Sequence, residues 1–376
     1  MKFWRGTMKK ILIFDRMNSS NFPGGDTVQI HAIKNFLDKN GYQVKLSNQP
    51  KEDISEYDYV FIFNLTNPYE AYIQMKACQK NGVPYILFPV YWNLDSLNIA
   101  IYINKKAIIK RILPKLIKSM IRAKNFIKKN NEVIEYFGIS NLELLNSEQC
   151  IKEILKNAYY ICPNSHAEWQ HLNENFSLDL LNNNVKVIYN GIDISLLSNI
   201  KLDENSLTKY DLPEKYICCV GGIGPRKNQL NLVKAANHAK INLVIIGKSA
   251  YGYEDYYNAV RSAAGTNIFF LEHLPQQEVF KILKNSIGHI QPSFIETPGL
   301  ATLEAATLGV PIIVANTAPV KEYFGDSATY CDPNDLLSIS KSLSEGFYGS
   351  LQKKEISSIK HLYNWDDCLK ELLDII

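Results

Sequence analysis

Two periodicities alternate along this chain almost from end to end, and that alternation constrains its fold most. Short runs of β-branched and aromatic residues, apolar on consecutive positions, are separated by stretches with apolar residues at helical spacing. "KKILIFDR" reads as a strand. After a polar, glycine-bearing loop, "TVQIHAIKNFLDKNG" places Val28, Ile30, Ile33, Phe36 and Leu37 near helical spacing, and Gly41 ends it. Further strands are expected at "YQVKLSN", "YDYVFIFNL", "VPYILFPVY", "AYYICPNS" and "VKVIYNG". The second half repeats the rhythm, with strands at "YICCVGG", "INLVIIGK", "NIFFLE", "GHIQPS", "VPIIVAN" and "ATYCDP" and helical patterns between them. Strands apolar on consecutive positions are those buried on both faces. Strand–helix–strand order, run twice, predicts an α/β protein of two parallel-sheet, doubly wound domains. At 376 residues the chain is too long for one ordinary core and about right for two. The break is expected near "NGIDISLLSN", giving a first domain over residues 1–192 and a second over 193–355. An amphipathic segment within 356–376, "NWDDCLKELLDII", is expected to pack back on the first.

Composition excludes several classes of function. Apolar content of 46 % and charged content of 21 % describe a globular chain. A net charge of +3 gives no general attraction to nucleic acid. The seven cysteines are odd in number, only Cys218 and Cys219 are adjacent, and no pair has C-x-x-C spacing. They read as reduced, buried thiols of a cytoplasmic protein. The N-terminal "MKFWRGTMKKILIFD" carries only a short strand-like apolar run and no secretory pattern. No apolar run approaches the roughly 20 residues of a membrane-spanning helix.

Ligands of open α/β sheets bind beyond the carboxyl ends of the strands, so residues just after strands are the candidates. "GGIGPRKN" follows the first strand of the second half. Its glycines let backbone approach a ligand, and Arg226 and Lys227 stand where a helix begins, an arrangement that suits a diphosphate. An ordinary strand–helix turn with solvated cations fits as well, since the loop is neither G-x-G-x-x-G nor G-x-x-x-x-G-K-[ST]. "IETPGLATLEAATLGVPIIVA" places Glu296 in a loop and Glu304 inside the next helix, eight positions on, with Gly299 leaving the helix start bare. Carboxylates accept hydrogen bonds from sugar hydroxyls. A solvated surface role explains Glu296 well and Glu304 poorly, because "LATLEAATLG" is otherwise small and apolar and a buried acid needs a partner. "NFPGGDT", with Gly24 and Gly25 before a helix, suits either a phosphate or a plain loop.

"GPRKN", "VIYNGID", "CPNSHAEWQHL" and above all "ETPGLATLEAATLGVPIIVANTAPVKE" resemble the retaining glycosyltransferases of family four, whose fold, GT-B, is two facing Rossmann-like domains with a cleft between them. The resemblance covers nearly all of the second half and, more loosely, the first strand–loop–helix and residues 158–193. It implies that Glu304 holds the nucleotide ribose and Glu296 the donor sugar. It implies that Gly299 and Leu300 offer backbone near the diphosphate, that Lys227 binds phosphate, and that Gly25 faces the diphosphate and acceptor. Asn190 to Asp193 match the run entering the second domain. The chain departs from the pattern in places. Gly222 stands where the family often has arginine, and Arg226 replaces that charge, as in a "PRKN" subset that includes many mannosyltransferases. Pro298 replaces a phenylalanine. Tyr91 and Trp92 stand where many members have a histidine after the strand "YILFPVYW", and Trp92, Asn93 and Asp95 are the candidates to replace it.

The implied reaction moves a sugar from a UDP- or GDP-sugar donor to a glycan or lipid-linked saccharide acceptor with retention of configuration. No D-x-D pair occurs, so no metal or other cofactor is expected, and Arg226, Lys227 and helix N-termini would neutralise the leaving diphosphate. Replacing Lys227 with Ala is expected to cut turnover and leave the fold intact. Ile103 to Asn130 carries ten Lys or Arg and no acid over an apolar band at helical spacing. Such segments lie on anionic membrane surfaces, which suits a lipid-linked acceptor at the inner face of the membrane, or they pack on a core with a solvated basic face. Pro114 should bend or divide it. The rival functions are a sugar phosphorylase or sugar-nucleotide epimerase on the same fold, and a non-catalytic sugar-nucleotide-binding partner of another transferase.

Overall fold

The computed structural model describes residues 8–17, 19, 24–93, 114–177, 184–198, 200, 208–272, 274–349 and 363–376. They divide into two compact units, with Tyr189 in the first and Asn190 in the second; the second unit ends at Asn364, and Trp365–Ile376 belongs with the first.

The first unit is built on a six-stranded parallel sheet. Its strands are β1 (Lys10–Phe14), β2 (Gln43–Ser47), β3 (Tyr59–Phe63), β4 (Tyr85–Phe88), β5 (Tyr160–Ile161) and β6 (Asn184–Val185). The expected strand "VKVIYNG" reduces to β6, two residues paired with β5 at the sheet edge. Its helices are α1 (Gly25–Lys39), α2 (Pro68–Asn81), α3 (Lys115–Tyr136), α4 (Asn141–Leu145), α5 (Ser147–Asn157) and α6 (His166–Phe176). Helix α1 buries Ile30, Ile33, Phe36 and Leu37, the stripe that helical spacing predicts. Helix α2 starts with Pro68 in its first turn and stops at Gly82, which has φ +66°. Pro114 stands at the N-cap of α3, where its missing N–H costs nothing, and the helix starts there. The part of the basic segment before Pro114, and Asp95, lie outside the described residues.

The second unit repeats the plan with strands β7 (Ile217–Val220), β8 (Leu243–Ile246), β9 (Ile268–Leu271), β10 (Gly288–Gln291), β11 (Ile312–Ala315) and β12 (Thr329–Cys331). Its helices are α7 (Ile194–Ser198), α8 (Gln229–Ala239), α9 (Glu254–Ser262), α10 (Gln276–Asn285), α11 (Leu300–Thr307), α12 (Ala318–Phe324) and α13 (Leu336–Phe347). A last single turn, α14 (Trp365–Cys368), returns to the first unit, where Asp366 lies 3.6 Å from Lys39. The central strands β8, β10 and β11 are buried along their length, as the consecutive apolar positions predict. All seven cysteines are buried thiols outside any disulfide, and burial pushes their pKa values up.

Strand order positions the site. The first sheet runs β2-β1-β3-β4-β5-β6 and the second β12-β11-β10-β7-β8-β9, with every pairing parallel. Winding therefore reverses between β1 and β3 in one unit and between β7 and β10 in the other, and ligands of such sheets bind at those reversals. The loop after β7 is braced from behind by Gly247, at the end of β8. Gly247 has φ +152°, and a Cβ there would lie 2.1 Å from the carbonyl oxygen of Gly221. Gly247→Ala should lower stability by about 2 kcal/mol or more, because neither the backbone angle nor the neighbouring carbonyl accommodates a side chain. Thermal or denaturant unfolding checks this, against Gly25→Ala as a neutral control, since a Cβ at Gly25 meets nothing within 4 Å.

Candidate functional site

The loops after β7 and β10 meet through charged side chains. Pro225–Lys227 forms a single 3₁₀ turn ahead of α8, which aims Arg226 and Lys227 toward the β10 loop. The Lys227 ammonium lies 2.5 Å from Glu296 Oε2. Ser293 Oγ donates to the same oxygen at 2.9 Å, and Gln291 Nε2 donates to Ser293 at 2.9 Å. Arg226 Nη1 lies 3.6 Å from Glu296 Oε1 and donates to the Ile295 carbonyl at 3.2 Å. The backbone joins the loops as well: Phe294 N donates to Arg226 O at 2.9 Å, and Asn228 Nδ2 donates to Pro292 O and Pro333 O.

Glu296 is thus buried, at 6 % exposure, where a solvated surface role had been one expectation. Burial pushes its carboxyl up, but the fields of Lys227 and Arg226 and the hydrogen bonds from Lys227 and Ser293 outweigh that and hold it at about 2. Below it, His289 is wholly buried on β10, with Nε2 3.1 Å from Thr302 Oγ1. Burial, helped by the Lys227 field, lowers its pKa to about 3, so it is a neutral ring at ordinary pH. The cations that reach Glu296 are Lys227 and Arg226.

Gly299 caps α11 with φ +85°, and a Cβ there would lie 2.9 Å from Glu296 Cγ and 3.2 Å from Thr302 Oγ1. The fold itself therefore demands this glycine, apart from any ligand. Leu300 is the first residue of α11. One turn on, Glu304 receives Gln276 Nε2 at 3.4 Å from "EHLPQQEV", and burial pushes its carboxyl up to about 7. The two glutamates of the signature thus sit in opposite electrostatic settings, one compensated by cations and one by a single neutral amide.

Entry to the second unit is also tied down. Asn190 N donates to the Tyr323 hydroxyl at 3.0 Å, while its side-chain Oδ1 is buried without a hydrogen-bond partner among the described residues. Asp193 accepts from Ser195 and Leu196 and so caps α7.

In the first unit Gly25 opens α1 behind Gly24, and Asp26 is held by Arg16 at 2.7 Å and by Asn64 Nδ2 at 3.0 Å. The residues after β4 are anchored by α6. Glu168, fully buried, accepts from Tyr91 N and from Asn164 N, both at 2.6 Å. One turn later His171 stacks on Trp92 at 4.7 Å between centroids, and its Nε2 accepts from Asn93 N at 3.0 Å. Sequence position places none of the seven histidines after "YILFPVYW", yet the fold brings His171 there from 78 positions away. The only local signal was Ser165-x-x-Glu168, a helix-capping pattern. Glu168 N does donate to Ser165 Oγ, but its carboxylate reaches across to the β4 loop instead of back along the helix.

The chain matches, over residues 203–346, the family model described as glycosyl transferases group 1. Over 184 residues it is 28 % identical to O-antigen chain mannosyltransferase B of Escherichia coli, covering 45 % of this chain and 47 % of that one. It is 25 % identical over 200 residues to D-inositol 3-phosphate glycosyltransferase of Corynebacterium glutamicum, covering 49 % and 47 %. The chain thus spans about half the length of the curated relatives it matches. Among solved structures, sucrose-phosphate synthase from Thermosynechococcus elongatus superimposes with a TM-score of 0.70 at 13 % identity, covering 98 % of both chains. Anabaena HepE, solved with UDP and glucose, gives 0.64 at 15 % identity, covering 97 % of this chain and 98 % of that one. These likenesses establish the fold, the two-domain α/β architecture of GT-B glycosyltransferases.

Glu304 and Glu168 are both raised to about 7, but one meets a single side-chain amide and the other two backbone N–H groups, and they should respond oppositely to amide substitution. A carboxyl raised from about 4.5 to about 7 holds its proton more tightly folded than unfolded, so its contribution to stability falls as pH rises through that window. Glu304→Gln should raise Tm at pH 8 relative to the native chain, with the difference vanishing near pH 5. Glu168→Gln should lower Tm at both, by the equivalent of about 1–3 kcal/mol, because an amide N–H would then face a backbone N–H.

Proposed function

We propose that this protein is a retaining glycosyltransferase, moving a sugar from a nucleotide-sugar donor to a glycan or lipid-linked saccharide acceptor without a metal ion. The observation that carries the reading is the Lys227–Glu296–Arg226 cluster at the winding reversal of the sheet, inside the glycosyl transferases group 1 domain. Lys227 and Arg226 are the charges that neutralise a leaving diphosphate, where negative charge grows in the transition state. The first turn of α11 adds backbone N–H groups and the positive end of a helix. Glu296 accepts hydroxyls of the transferred sugar and Glu304 those of the ribose. Gly25 offers bare backbone toward diphosphate and acceptor. The acceptor attacks from the leaving-group face and a phosphate oxygen takes its proton, so the protein contributes position and field. Absence of D-x-D in the sequence and the presence of two cations support metal independence. The mannosyltransferase relative supports a polysaccharide pathway, and the UDP complexes of HepE support a nucleotide donor.

Among the described residues no helix is long and apolar enough to cross a membrane. We infer peripheral contact with an anionic lipid surface on the cytoplasmic side, through the basic segment. Its described part, on α3, exposes Ile117 and Ile121 beside Arg122, Lys124 and Lys128. An apolar strip edged by cations suits the plane of a membrane interface.

Thermal shift against UDP, GDP and their sugar conjugates tests the donor site. One nucleotide class should raise Tm, and Glu304→Ala should abolish the rise. Lys227→Ala should cut turnover of the effective donor by ~100-fold. It should also lower Tm somewhat while leaving the fold intact, because it strips buried Glu296 of its nearest partner. No shift with any nucleotide would remove the donor-site assignment. For the membrane contact, the native chain should co-sediment with phosphatidylglycerol vesicles and not with phosphatidylcholine, and release as salt rises. Ile121→Glu combined with Lys124→Glu and Lys128→Glu should abolish it.

A further inference from the structure

The ammonium of Lys227 is engaged by a carboxylate of its own chain at 2.5 Å. For it to serve a phosphate, it must turn away from Glu296. The carboxylate would then keep Ser293 at 2.9 Å and, more distantly, Arg226 at 3.6 Å, while remaining buried. A buried carboxylate that loses its nearest donor is costly unless something replaces it.

What arrives with the phosphate decides whether the exchange balances. A bare nucleoside diphosphate brings negative charge toward Glu296 and no hydroxyl at its distal end. Like charge brought to a buried carboxylate is strongly disfavoured. A sugar conjugate brings the same diphosphate, masked at its end, together with hydroxyls that donate to the carboxylate. Only the conjugate returns to Glu296 what it takes from it.

We propose that Glu296 discriminates donor from product: by holding Lys227 it disfavours the bare nucleoside diphosphate and admits the sugar-bearing conjugate. This rests on the donor-site reading above. It gives Glu296 a part in product release in addition to sugar contact, since the diphosphate left after transfer faces the restored Lys227–Glu296 pair.

Isothermal titration with UDP, GDP, UDP-glucose and GDP-mannose tests it on the native chain, Glu296→Gln, Glu296→Asp and Lys227→Ala. The native chain should bind a conjugate more tightly than its diphosphate. Glu296→Gln keeps the side-chain shape and removes the charge, so it should tighten the diphosphate about tenfold and narrow or reverse that preference. Glu296→Asp withdraws the charge by one methylene and should give a smaller gain; it decides the question if melting shows that the glutamine variant does not fold. Diphosphate affinity unchanged or weaker in both variants, with Lys227→Ala weakening it, would overturn the discrimination while leaving the donor site standing. Binding of no nucleotide by any of the four proteins would overturn the donor site itself.

Discussion

A single ion pair, Lys227 with Glu296, spans the point at which the second sheet reverses its winding. Parallel order places β7 beside β10, so the loops leaving those strands are neighbours whatever residues they carry. The pair converts that neighbourhood into a site. Around it the loops are locked by Phe294 N on Arg226 O and by Asn228 on Pro292 and Pro333, and the β7 loop rests on Gly247. Each contact is local to the strand ends, yet each joins residues far apart in sequence. The loop backbones that carry the charges are therefore held before a ligand arrives, and what is left to reorganise is the Lys227 side chain, which must turn from Glu296 to reach a phosphate.

Environment separates the acids of the chain into two kinds. Glu296 is buried but surrounded by cations, and stays ionised. Glu304, half-buried, and Glu168, fully buried, have no cation among the groups that shift them, and both rise to about 7. Divergent settings of this kind mark distinct roles for the same residue type. An ionised carboxylate suits strong acceptance from hydroxyls and competition for Lys227. One raised toward neutrality suits hydrogen bonding without a fixed charge. Glu168 differs again: two backbone N–H groups occupy it, so its work is to hold the β4 loop on α6.

Much of this was legible in the sequence because it is written at short range. Consecutive apolar runs identify the buried parallel strands, and helical stripes such as Ile30, Ile33 and Leu37 identify what covers them. The candidate residues of the second half fall where strand–helix order places them, since residues after parallel strands are gathered by topology. What was not legible depends on pairings across long separations. The stacking of His171 on Trp92 cannot be read from spacing, because α6 reaches the β4 loop only after the sheet has formed. Glu168 carries in sequence only the Ser165-x-x-Glu168 capping pattern, which reports the helix end and not the loop opposite. The burial of Glu296 was hidden for a related reason: next to a Pro-Gly break a glutamate reads as solvated, and its partner lies 69 positions away. The strand expected at "VKVIYNG" is apolar enough, but at the edge of the sheet it pairs over only two residues.

The same winding gives each unit a site-forming reversal, and the two are filled differently. In the first unit the loops after β1 and β3 meet through Asp26, which Arg16 and Asn64 hold, and through Glu70, which Met17 N and Asn67 hold. Burial raises the Glu70 carboxyl, and no lysine stands among the groups that shift it. In the second unit the corresponding reversal carries two adjacent cations on a 3₁₀ turn ahead of a helix. One topology has thus produced a junction with one arginine among its acids and another with two adjacent cations on one acid. At the second junction Lys227 and Arg226 meet one carboxylate, and the proposed donor site rests on that setting. The fold determines where such a site stands, and the side chains at the reversal determine the charge of what it receives.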